Sequence, residues 1–131
     1  MIRGTTAQFK FKIPYKKDEL AWATIKFWQP GNKGVLGASL PITKRLDNCT
    51  STDNPEELCV SLTAEETSRF SDKYKAKVQL RAQHQDGTVF ASHEQLIVVY
   101  PINDDIIKDN PSMPGENEEG WIILDGESIA I

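Results

Sequence analysis

The sequence predicts an all-β fold, an antiparallel immunoglobulin-like β-sandwich with one short helix and an acidic, extended C-terminal tail. Three observations lead there. Apolar residues recur with period two in several short runs, turn residues separate the runs, and the helical crossovers that parallel sheets require are missing. A small barrel is second. The 131 residues suit one domain with a tail, and 39% hydrophobic against 26% charged residues read as a soluble globular chain.

The elements follow in order. Gln8-Phe9-Lys10-Phe11-Lys12-Ile13 alternates, with Phe9, Phe11 and Ile13 inward, and Pro14 ends it. Residues 21–29 put Ala23, Ile25 and Phe27 inward and Trp22, Thr24, Lys26 and Trp28 outward, before the turn Pro30-Gly31-Asn32-Lys33-Gly34. Residues 35–40 form a weaker strand interrupted by Gly37, and Pro41 marks an edge or bulge. Leu58, Val60 and Leu62 alternate again. Thr63-Ala64-Glu65-Glu66 is a capping box that starts a helix of about two turns, ending near Phe70. Ala76, Val78, Leu80 and Ala82 alternate against Lys77, Gln79 and Arg81. Asp86-Gly87 is a hairpin turn, residues 88–91 the return strand and residues 96–100 the last strand of the body.

The chain divides into a β-sandwich over 1–102, an acidic linker over 103–120 and an apolar docking segment over 121–131. Of the formal charge of −4, residues 103–131 hold eight acids and one lysine, whereas residues 1–102 hold 14 Lys/Arg and 11 Asp/Glu. The basic residues are spread along strands rather than gathered in a stripe, so nucleic acid is not an expected partner. No apolar run is long enough for a membrane helix and the opening six residues carry no apolar segment, so neither membrane insertion nor export through a signal peptide is expected.

Candidate chemistry reduces to structural roles. His84 and His93 flank the Asp86-Gly87 turn without a further ligand set, so no metal is expected. Adjacent Glu65 and Glu66 diverge on a helix, and Glu66 belongs to the cap. Asp104-Asp105 lacks a calcium-loop series. Nucleophile-elbow and phosphate-loop motifs are absent. The expectation is a protein that is not an enzyme and holds no cofactor. Cys49 and Cys59 flank a polar loop and are expected as free thiols. Asn48-Cys49-Thr50 matches a glycosylation sequon by chance.

Two features point to binding. Trp22 and Trp28, six apart, share the sheet face opposite Ile25 and Phe27, and with Tyr15 they are candidate interface or glycan-stacking aromatics. Trp121, Ile122, Ile123 and Leu124 form an apolar run beyond the linker and are the candidate partner-docking residues. A neighbouring subunit is preferred to the chain's own sheet as their seat.

The opening Met1-Ile2-Arg3-Gly4-Thr5-Thr6 before an alternating strand, then Leu62-Thr63-Ala64-Glu65-Glu66-Thr67-Ser68-Arg69-Phe70, resembles a family of small proteins from tail-gene regions of gut-bacterial phages and prophages. Val78-Gln79-Leu80-Arg81, Gly87-Thr88-Val89-Phe90-Ala91-Ser92 and Asp104-Asp105-Ile106-Ile107 continue the resemblance over residues 1–107. Ala7 stands where that pattern has proline. The strand layout is also similar to the N-terminal immunoglobulin-like domain of phage upper baseplate proteins. The resemblance implies a virion structural protein of the tail or baseplate, assembled in the bacterial cytoplasm and partnered by other tail subunits or by itself. The alternative is a carbohydrate-binding adhesion module that recognises host surface glycans through Trp22, Trp28 and Tyr15.

Overall fold

The alternating runs pair into two sheets that close on one apolar core. The computed structural model describes residues 1–30, 40–51, 57–101 and 121–125. In chain order the strands are β1 (Ala7–Lys12), β2 (Leu20–Trp28), β3 (Ile42–Arg45), β4 (Thr50–Ser51), β5 (Glu57–Leu62), β6 (Ala76–His84), β7 (Val89–Ala91), β8 (Gln95–Ile97) and β9 (Trp121–Asp125). One sheet runs β4-β5-β1-β9 and the other β3-β2-β6-β7, with β8 also on β6. Apart from β9, this is the strand order of an immunoglobulin-like sandwich.

Inward residues are those that the period-two pattern selects. Phe9, Phe11, Ile25, Phe27, Leu58, Leu62, Val78 and Leu80 are all fully buried. Phe9 and Phe27 meet across the sheets, ring centroids 4.9 Å apart and tilted by 54°, a favourable aromatic geometry. The expected strand over residues 35–40 lies almost wholly outside the described residues. β3, by contrast, was not expected from the sequence.

The helix α1 (Ala64–Ser68) begins as its capping box requires. The Glu66 backbone N–H donates to Thr63 Oγ1 at 3.2 Å, and the Thr63 N–H donates to Glu66 Oε1 at 2.9 Å. Glu66 also pairs with Lys44 at 2.8 Å, tying α1 to β3. Burial works against the Glu66 carboxylate, but hydrogen bonds from Lys44 and the Thr63 N–H hold its pKa below the ordinary value. Thr63→Ala is expected to cost about 0.5–2 kcal/mol in chemical denaturation, and an unchanged midpoint would remove the cap from the stabilising contacts.

Along the outer side of β6 the edge is split. Arg81 pairs with Ala91 and Val78 with Gln95, so Gln79 and Leu80 oppose the three residues 92–94, a β-bulge. Ser92, fully buried, fills it: its N–H donates to the Leu80 carbonyl at 2.8 Å and its Oγ accepts from the Leu80 N–H at 3.0 Å.

The C-terminal strand departs furthest from expectation. β9 runs parallel to β1, with Phe9 opposite Ile122 and Phe11 opposite Leu124. Ile122 and Leu124 are buried in the chain's own core, so this part of the apolar run is seated at home, not on a neighbour. The side chains of Trp121 and Ile123, and residues 126–131, lie outside the described residues, as does the linker. The seat beside β1 is open because the N-terminal residues pair elsewhere. In an immunoglobulin sandwich the first strand occupies that edge. Here residues 1–3 lie along residues 98–100, with the Tyr100 N–H donating to the Met1 carbonyl at 2.8 Å and the Arg3 N–H to the Tyr100 carbonyl at 3.0 Å.

Candidate functional site

The outward residues of β3, β2, β6 and the β7–β8 edge form one face. Register sets its rows: Trp22, Gln83 and Val89; then Arg45, Thr24, Arg81 and Ala91; then Thr43, Lys26 and Gln79; then Trp28, Lys77 and Leu96. Trp22 and Trp28 do share this face, at opposite ends about 20 Å apart at the usual strand rise. They are not one platform.

Trp22 is 37% exposed. Its indole N–H donates to Gln83 Oε1 at 2.8 Å, and Gln83 Nε2 donates to the Gly87 carbonyl at 3.1 Å. The ring is therefore held from the β6–β7 turn. A register shift between Leu20 and Trp22 interposes Ala21, letting buried Leu20 and outward Trp22 sit two residues apart on β2. Trp28 is only partly exposed, and the Lys26 ammonium lies 5.1 Å from its ring centroid, a cation–π contact that occupies it.

Tyr15 is not on this face. It packs against the core, its ring 4.6 Å from His84 and 5.3 Å from Phe90. The sequence grouped it with the tryptophans by type, but the turn after β1 carries it to the end of the sandwich.

An open groove of about 260 Å³ runs beside Trp22, lined also by Thr24, Arg45, Leu46 and Asp47. The turn that brings Arg45 and Asp47 there is closed by the Arg45 N–H donating to Asn48 Oδ1 and the Cys49 N–H donating to the Leu46 carbonyl, both at 3.0 Å. Arg45 and Arg81 stand on either side of Thr24, both exposed, and neither forms an ion pair among the described residues. These four residues, Thr24, Arg45, Asp47 and Arg81, were not singled out from sequence as site residues.

The titratable groups considered from sequence have structural surroundings. His84 Nε2 lies 3.3 Å from Glu19 and Nδ1 3.1 Å from Asp86. Desolvation would lower its pKa, but hydrogen bonds to Glu19 and Asp86, and their charges, raise it overall. Ser92 sits opposite Leu80, four residues along β6 from His84, which keeps His93 roughly 13 Å from it. Among the described residues no group of three or more His, Cys, Asp or Glu could hold a metal. Cys49 and Cys59 are free and buried. Burial pushes the Cys49 thiol up to about 11, against the opposing charge of Lys17, and raises that of Cys59. Thiolate chemistry is suppressed at both.

No family model matches the chain, and no curated protein sequence matches it. No helix among the described residues is long and apolar enough to cross a membrane.

Proposed function

We propose that this chain is a non-enzymatic assembly subunit of a phage tail or baseplate, docking other tail subunits along its β7–β8 edge. One observation carries the reading. Five large hydrophobic side chains are exposed among the described residues; two of them, Val89 and Leu96, lie at the two ends of that edge, and a third, Val98, follows β8 where the backbone pairs with the N-terminal residues. Edge strands offer unpaired backbone groups to another chain, and exposed apolar side chains beside them supply contact area. The immunoglobulin-like strand order and the resemblance to phage tail-region proteins support the same reading. So does the chemistry: Glu66 serves a helix cap, and both thiols are buried.

The test is incorporation into particles. Virions from a host carrying the gene should contain the protein in stoichiometric amounts by mass spectrometry. Replacing Leu96 and Val98 together by Asp should abolish incorporation while leaving the melting temperature near that of the wild type, because these side chains are already 58% and 44% exposed. Particles devoid of the protein, or normal incorporation of the doubly charged variant, would sink the proposal.

A further inference from the structure

We infer that the groove beside Trp22 is a subsite for a single acidic pyranose, a uronic-acid-type sugar within a surface glycan. The groove's size comes first. At about 260 Å³ it falls below the roughly 300–1,000 Å³ that drug-sized ligands fill, so it takes one ring. The C–H face of a pyranose carries partial positive charge and stacks on the negative face of an indole. Trp22 offers such a surface already fixed, because Gln83 holds its N–H at 2.8 Å. Fixing the ring before binding removes much of the ordering cost a mobile tryptophan would carry.

The rim selects the ligand. Arg45 lines the groove, and Arg81 stands in the same cross-strand row on the far side of Thr24. Arg45, exposed and free of ion pairs among the described residues, suits a carboxylate, which the planar guanidinium grips with paired hydrogen bonds, and Arg81, outside the lining, adds positive potential from the next strand. Asp47 and Thr24, also on the groove wall, accept hydrogen bonds from sugar hydroxyls. Asp47 additionally argues against an acidic peptide: it would repel a run of carboxylates but tolerates one acid on a ring whose other substituents are hydroxyls. Trp28 has no part in the subsite, since Lys26 covers its ring. This site is distinct from the β7–β8 edge, so its failure would leave the assembly reading standing.

Calorimetric titration of the full chain with a glucuronic-acid-containing tetrasaccharide, and with the same oligosaccharide after reduction of its carboxyl groups, tests the inference. The acidic form should bind saturably. Trp22→Ala and Arg45→Ala, each verified as folded by its thermal melt, should weaken binding about tenfold or more. Trp28→Ala should bind like the wild type, the reduced oligosaccharide should bind about tenfold less tightly, and added salt should weaken the acidic form. Absence of binding at millimolar sugar, wild-type affinity in Trp22→Ala, or equal affinity for the reduced oligosaccharide would each overturn it.

Discussion

A chain lacking residues 121–131 is expected to lose about 4–8 kcal/mol of stability, with the truncation of two buried aliphatic side chains alone accounting for most of it. Single domains hold about 5–15 kcal/mol in total, so the shortened protein should be largely unfolded or melt tens of degrees lower. The reason lies in the rows of the sheet. Val60, Phe9 and Ile122 form one inward row and Leu58, Phe11 and Leu124 the next. Phe9 and Phe11 are fully buried, each with a strand neighbour on both sides. Without β9, the flank of these two phenylalanines that Ile122 and Leu124 cover is opened and five residues of β1 lose their partners. Leu124→Ala isolates the packing part and should cost about 2–5 kcal/mol. Thermal and urea unfolding, monitored by circular dichroism, measure both. A truncated chain that melts within a few degrees of the full-length one would show that β9 lies outside the cooperative unit.

The sequence favoured a neighbour as the seat of this segment, and the reasons for the difference are local. Trp121-Ile122-Ile123-Leu124 reads as an extended apolar run, but an apolar run does not say which edge it will meet. That depended on residues 1–3 pairing with residues 98–100, a long-range choice that alternation cannot encode. Where inward positions held two or more large apolar residues, as in β1, β2, β5 and β6, the period was visible. β3 has only Ile42 buried, and β4 consists of two exposed residues, so neither carries a period to detect. The same limit applies to the site. The shared face of Trp22 and Trp28 follows from their spacing of six along one strand. Arg45 joins Trp22 only because Thr24 pairs with Arg45 across β2 and β3, and pairing between strands twenty residues apart is absent from a one-dimensional pattern.

Gln29→Met is expected to destabilise the protein by on the order of 3 kcal/mol, although the side chains are nearly equal in length and methionine is the more apolar. Gln29 is fully buried just beyond the end of β2. Its Nε2 donates to the Ser71 carbonyl at 2.7 Å and the Tyr74 carbonyl at 2.9 Å, and its Oε1 accepts from the Ser71 N–H at 2.9 Å. One amide thus satisfies three backbone groups of the loop between α1 and β6, holding it against the sandwich. A thioether replaces none of the donors. Each buried backbone group left without a partner costs about 1–3 kcal/mol, and water entering the loop recovers part of that. The loop should therefore open before the sheets do, so amide hydrogen exchange at Ser71 should accelerate by more than the global loss of stability allows. Equilibrium unfolding supplies the total and exchange the location. A Gln29→Met protein as stable as the wild type, with Ser71 still protected, would show that the loop is held by its apolar contacts alone.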